Sequence, residues 1–497
     1  MLKRFCVLFM SMMLAATMLV FTGCFGGGDS DLIDRYGNVT LRFWHIFPDG
    51  DPANPTMQAL INEFQEENPH IRINHTGVSF WDYFTVIANS MRDERNGPHI
   101  FMQDNITTPA RAEGRMILNL SQYMNDNTVN ASHFMSEDVR SITFNDNIFA
   151  MPWSINGRFL YYNADHLNAA GEIPLGQPGS LAQFRRQDGT VRPPQTFAEL
   201  NYYSIALTRV TRGTTTTVQQ LGFDIAQGNN SLMNFVWPVG GTFFDGNGNP
   251  IVNSNAGVRQ GFRNWYDVTR RIVPAGMNTG IDSGVGSPGN SYITLGVANG
   301  FTGNALDEEA LFFNGQLSMM IATSEIPWKN QRLVQADRVN LGVAPIPYEG
   351  GEQNRWHHSG CFTLEVTGRF ENPRLDRRIG QAAFDFVNFM MSHNVQSRLA
   401  SLPGLDGWLP GRNSAYDYLI ENEEDSIKSF ILSEMSNRRY FDYIRGADRW
   451  WGDVTDEANA FAARNYATGR PDREDQLTHA LSRAQNTIVT RIERNNR

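Results

Sequence analysis

The sequence predicts an α/β fold of the doubly wound kind, and three features point there. The segment "VTLRFWHIF" (39–47) alternates apolar and polar residues and is rich in β-formers. Beyond it, Met57, Leu60, Ile61 and Phe64 fall at i, i+3, i+4 and i+7, the spacing of an amphipathic helix. The strand–helix pair then recurs and ends in a further strand, which is the pattern of parallel strands with crossover helices.

Taken in order, "PDGDPANP" is the loop after the first strand. The first helix stops before Pro69, which discourages helical backbone at Asn68. "IRINHTGV" reads as the second strand, "WDYFTVIANSMRD" as the second helix and "HIFMQD" as the third strand. Residues 148–167, "IFAMPWSINGRFLYYNADHL", form a long extended segment before a helix. The Pro/Gly-rich stretch 172–194 reads as an inserted loop. Thr196 caps the next helix, with Glu199 placed for a capping box. "GGTFFDGNGNPIVNS" is a hairpin around its turn residues, and "AGVRQGFRNWYDVTRRI" is helical. Residues 276–304 are rich in Gly, Ser, Asn and Thr and read as a second long loop. "ALFFNGQLSMMIATSEIPW" gives a helix end, a strand and a loop; "VNLGVAPIPYEGG" and "GCFTLEV" give strands. In "GQAAFDFVNFMMS", Ala383, Phe386, Val387 and Met390 share one helical face. Helices dominate from there to Arg497, and no internal repeat is visible.

With 497 residues, 41% hydrophobic and 19% charged, the chain is ordinary globular material of a size for roughly two or three domains, or two large lobes. A formal charge of −10 without a basic block argues against nucleic acid, whose phosphates demand a positive footprint. The 10 Trp are partly core, and Trp is also the natural flat apolar platform of a binding cleft.

The N-terminus carries Lys3-Arg4, an apolar run from Phe5 to Phe21, and then "TGC". This is the layout of a secretory signal. Small residues before Cys24 resemble a bacterial lipobox, in which the Cys is lipidated and becomes the mature N-terminus; Phe21 stands where Leu is usual. A run of this length also approaches the ~18 residues of a membrane span, so an uncleaved anchor is the other reading. Removal of residues 1–23 and lipidation at Cys24 are expected, with 24–35 a flexible tether. Cys6 would leave with the signal. Cys361 would then stand alone, outside any disulfide, as a small buried hydrophobe.

Several segments together resemble one family. These are "VTLRFWHIF", "INEFQEENPHIRINH", "NGPHIFMQD", "IFAMPWSINGRFLYYNADHL", "PPQTFAEL", "ALFFNGQLSMMI", "LGVAPIP" and "AAFDFVNFMMSHNVQSRL". "RWWGDV" with "ATGRPDREDQLTHALSRAQNTI" completes the set. In this order, over roughly residues 38–490, they are similar to the extracellular solute-binding proteins of ABC importers, of the carbohydrate (maltodextrin-binding-like) type. His99 replaces the family's Asp in its Gly-x-Pro-Asp strand, and Phe197 replaces a Trp; both positions read as structural. The resemblance implies a two-lobed periplasmic-binding-protein-like fold (type II), with lobes joined by crossing hinge strands and the ligand cleft between them. Lobe one would be 36–152 plus 360–392, and lobe two 153–359 plus 393–497. It also implies a lipid-anchored, monomeric receptor outside the cytoplasm. That receptor captures a sugar or oligosaccharide by lobe closure and delivers it to ABC permease subunits; no cofactor is implied.

A sugar offers apolar C–H faces and a rim of hydroxyls, so its site needs aromatic platforms and planar polar groups. Candidates lie after strands or at crossings. Trp44 and His45 end the first strand, and Trp81 and Asp82 start the second helix. Asp104 and Asn105 follow the third strand, at a polar contact position in the family. Trp153 and Asn156 lie in the first crossing, Asn156 where maltodextrin binders carry a carboxylate. Trp237 precedes Pro238, Glu325 and Trp328 follow "MMIATS", and Trp356 and His358 lie at the return crossing. Trp328 and Trp451 match family stacking positions. Each also has a plain reading: Trp as core, Asp82 as a first-turn acid, His45 as a loop cap, Asp104 and Asn105 as turn residues.

Catalytic and metal signatures fail. There is no H-E-x-x-H, G-x-S-x-G or phosphate loop. "GVGSPG" (284–289) has no strand before it. The stretch from Asp245 has Pro250 and Ala256 where a calcium loop needs Gly and Glu. His357 and His358 point to opposite faces of a strand, so they make no metal pair. Two alternatives stay open. One is a secreted carbohydrate-active enzyme, whose carboxylate pair (about 5–10 Å apart) could come from Asp82, Asp104, Glu325 or Asp453. The other is a binding lipoprotein for a non-sugar solute, feeding a transporter or a sensor.

Overall fold

The computed structural model describes residues 32–211, 217–225, 232–270, 305–447, 449–468 and 474–495. The signal segment, Cys24, most of the tether and the loop 276–304 with "GVGSPG" lie outside them. Among the described residues no helix is long and apolar enough to cross a membrane.

The first sheet grows from alternation. In β1 (Val39–His45), Val39, Leu41, Phe43 and His45 are buried and the residues between are half-exposed. The helix α1 (Asn54–Glu67) buries Met57, Leu60, Ile61 and Phe64, the stripe read from sequence. Then come β2 (Ile71–Gly77), α2 (Phe80–Ser90), β3 (Ile100–Asp104), β4 (Ala150–Ile155) and β5 (Arg158–Asn163). Later strands are β6 (Asp224–Ile225), β7 (Met319–Thr323), β8 (Leu341–Ala344), β9 (Cys361–Val366) and β10 (Leu409–Pro410).

One sheet runs in the order β10-β4-β9-β3-β1-β2 and the other β6-β7-β5-β8. β1 is parallel to β2 and β3, and β9 is antiparallel to β3 and β4. The carboxyl ends of β1 to β4 and the start of β9 therefore share one edge. In the second sheet β5 is antiparallel to β7 and β8. Its start, Arg158, sits with the ends of those strands. The chain passes between the two edges at Asn156-Gly157, back at Ser359-Gly360, and again at Gly411-Arg412.

Each sheet has its own core. The first draws on residues 32–153 and 364–405, so Trp153, Val395, Leu399 and Leu405 pack with the first sheet, although the sequence reading puts them in lobe two. The segment after the helix Arg377–Met390 folds back onto α1: the Thr56 hydroxyl donates to the Pro403 carbonyl (2.7 Å), and Gly404, at φ +79°, leaves the Ala53 backbone room. Thr196 caps its helix through Glu199 N–H (3.1 Å). The Glu199 carboxylate reaches past the cap to Gln195 N–H (2.8 Å) and pairs with Arg192, so the box is only half formed. The stretch at Asp245 is a hairpin, with the Asp245 carboxylate accepting from the Asn247 and Asn249 N–H groups.

Candidate functional site

The two sheet edges face each other across the crossings, and the crossings are bound together. The Asn156 N–H donates to Gly360 O (3.0 Å), and the Gly360 N–H returns a bond to Asn156 Oδ1 (2.9 Å). The Ser359 hydroxyl donates to Asn156 O. A Cβ on Gly157 would come within 2.5 Å of the His357 ring, so glycine is needed there for close approach. Asn156 is thus the clasp between crossing strands.

Asparagines from both sides hold the return crossing. Asp104 caps the turn after β3 through Ile106 N–H (3.1 Å), and that turn presents Asn105, whose Oδ1 accepts from Cys361 N–H (3.2 Å). From the short helix Met233–Val236, Asn234 Oδ1 accepts from His358 N–H (2.9 Å). Both asparagines are buried, and the Nδ2 of each lacks a partner among the described residues. The same holds for both ring nitrogens of buried His358 and for Glu325 Oε2. Buried polar groups without partners are expensive, and these cluster around one crossing, which makes it the candidate site.

Charges around these atoms are balanced. Burial pushes the Arg158 guanidinium down from its ordinary range and the Glu325 carboxylate opposes this; Arg158 also donates to Asn156 Oδ1 (2.9 Å). Burial raises the Asp104 carboxyl against the pull of Arg111 and Arg449. His358 is held well below its ordinary value by burial, with Arg158 adding to the effect, so it is neutral.

Aromatic rings flank the polar set. On the first sheet Phe362, opposite Asp104 in register, stacks on Trp408 (5.0 Å between centroids, 29°). On the other side Phe441 stacks on half-exposed Trp451 (4.9 Å, 25°) and lies 4.8 Å from the His358 ring. Ile106, beside Asn105, packs against this second group.

Of the residues expected from sequence, Asp104, Asn105, Asn156, Glu325, His358 and Trp451 meet around the crossings. Trp237 is buried behind His358 (5.8 Å), with Arg439 over its ring (5.1 Å), and Trp356 is half-buried against the second core. Trp81 and Asp82 are exposed at the start of α2. Four expectations are corrected. Trp153 is fully buried beneath Trp408 (5.5 Å). Trp44 packs half-buried on the first core, its carbonyl accepting from Tyr83. His45 is fully buried between Phe43, Phe47 and His75, bonded to His75 (2.8 Å); burial, with His75 adding, pulls its pKa down to about 3. Trp328 is only 8% exposed, with Lys428 Nζ 4.8 Å from its ring centroid and Gly407 against the indole, so its ring is engaged within the protein. Asn234, Arg158, Phe362, Trp408 and Phe441 were missed. Asn234 had a signal: a lone amide inside the apolar run "LMNFVW" must be buried, and a buried amide needs partners.

Among the described residues no group of three or more His, Cys, Asp or Glu could hold a metal ion. Cys361 is buried and its thiol pushed well up, chiefly by burial.

Comparison with known proteins agrees with this architecture. A family model described as bacterial extracellular solute-binding protein matches residues 59–429. No curated protein matches. Solved two-lobed structures do. An ABC substrate-binding protein from Listeria monocytogenes in complex with cycloalternan is 15% identical, covering 91% of this chain and 99% of its own, at a TM-score of 0.63. The GacH receptor of Streptomyces glaucescens, solved unliganded and with acarbose, is 17% identical over 91% and 98%, at 0.63. A maltose-bound T. maritima protein is 15% identical over 91% and 100%, at 0.63.

Proposed function

Because the chain belongs to the bacterial extracellular solute-binding proteins and so works outside the cytoplasm, we propose that it is a lipid-anchored receptor which captures a sugar or oligosaccharide and delivers it to the permease of an ABC importer. The observation that carries this reading is the set of buried polar atoms without partners among the described residues, flanked by two stacked aromatic pairs. Amide N–H groups of Asn105 and Asn234 suit hydroxyl oxygens, Glu325 suits a hydroxyl proton, and the rings suit C–H faces. Each charge here has an opposite one acting on it, Glu325 on Arg158 and Arg111 with Arg449 on Asp104, and this favours a neutral ligand. The structurally similar proteins bound to cycloalternan, acarbose and maltose support the same class.

The lobes would close about the three crossings, and ligand selects the closed form only through contacts with both sides. Asn105 with Phe362 and Asn234 with Trp451 supply those two sides. The receptor would act as a monomer, tethered by Cys24 to the outer face of the cytoplasmic membrane or in the periplasm. The test is a thermal-shift screen against mono- and oligosaccharides, glycerol phosphodiesters and polyamines. Stabilisation by sugars alone supports the reading; stabilisation by a charged solute alone overturns it. Release of shorter sugars during incubation would favour an enzyme.

A further inference from the structure

We propose that the ligand is a linear oligosaccharide, and that Trp81 with Phe80 forms an outer subsite for one of its end units. This rests on the sugar-binding reading above. Trp81 is 60% exposed and Phe80 37%. The Trp81 ring is not what holds α2 in place: Tyr83 and Ile87 form its buried face, and the Tyr83 hydroxyl donates to the carbonyls of Trp44 and Met102, both at 2.8 Å. An indole left in water at the cleft edge costs the empty receptor hydrophobic free energy that an occupant recovers.

The patch is continuous with the aromatic pair beside the crossings. Trp81 meets Phe80 edge-on (5.2 Å between centroids), and Phe80 meets Phe362 (6.4 Å), which stacks on Trp408 (5.0 Å). Trp81 and Phe80 are exposed and Phe362 and Trp408 are partly exposed, so the row is an open strip that leads from Trp81 to the aromatic pair beside the crossings. Two ring-to-ring steps separate Trp81 from Phe362, so one pyranose seated on Phe362 does not reach Trp81. Asp82, the next residue of the same helix turn, is exposed and can accept from hydroxyls. The strip therefore fits a chain of sugar units whose inner end lies among Asn105, Asn234 and Glu325.

The test is calorimetry on the whole chain with maltose to maltohexaose and mannobiose to mannohexaose. Affinity should rise with length, and Trp81→Ala should remove the rise, weakening the longest ligand about tenfold and the disaccharide less than about twofold. Trp81→Phe should restore most of it. Affinity independent of length, or a Trp81→Ala effect equal at all lengths, overturns the outer subsite and leaves the sugar reading standing. Failure of every member of both series to bind overturns the sugar reading itself.

Discussion

Asn105 and Asn234 reach the same short return crossing from opposite sides, one accepting from Cys361 N–H and the other from His358 N–H. Each spends its oxygen on backbone, and the NH2 group of each has no partner among the described residues. Replacing either with Ala leaves a buried N–H without an acceptor, which costs about 1–3 kcal/mol. Urea denaturation should show losses of that size for Asn105→Ala and Asn234→Ala, together with weakened sugar binding. Full stability in both would mean the crossing is held by other means.

Gly407 and Trp328 make a second contact between the sides. Gly407 sits at φ +81°, and a Cβ there would approach Glu325 Cα to 2.9 Å. Arg332 pairs with Asp406 beside it (2.9 Å). Gly407→Ala should destabilise by more than about 1 kcal/mol, since neither conformation nor space suits a side chain. Trp328→Ala should cost about 3–5 kcal/mol, as for a buried Trp. Thermal unfolding measures both, and an unaltered midpoint for Trp328→Ala would return its ring to the list of ligand platforms.

The Asp138–Arg438 pair is buried, with N–O at 2.5 Å and the Tyr440 hydroxyl donating to the same carboxylate (2.7 Å). Burial alone would lower the Arg438 pKa; Asp138 and Tyr440 outweigh it and raise it. Asp138→Ala strands a buried cation and should cost about 3–5 kcal/mol. A chemical denaturation curve matching wild type would contradict this.

Acid should weaken the fold earlier than carboxylate titration alone would. His45 has its pKa lowered to about 3 and His357 to about 4, against an ordinary 6.5, both chiefly by burial. The unfolded chain therefore takes up protons first as pH falls, so stability is full above 6.5 and declines from there towards 3. Urea midpoints at pH 7.5, 5.5 and 4.5 should fall in that order. His45→Gln should flatten the slope; a wild-type midpoint constant to pH 4.5 would refute the assignment.

The strand–helix alternation of residues 39–104 was legible because α1 and β1 each bury one face, and burial leaves its period in the sequence. Asn105 was legible as the residue after a strand in such a sheet. The remainder depended on partners distant in sequence. His45 became core through His75, thirty residues on. Lys428 and Gly407 enclose Trp328 from far down the chain. Trp408 lies in a Gly/Pro loop, where nothing local signals that it stacks on Phe362.

β9, the strand Cys361–Val366, lies in the middle of the first sheet, between β4 and β3. Until it arrives, β4 and β3-β1-β2 are separate pieces, and β10, later still in the chain, has yet to be made. A chain leaving the ribosome from its N-terminus cannot join them before residue 366 of 497 has emerged. The first sheet thus stays open through most of synthesis, its two halves waiting on one late strand.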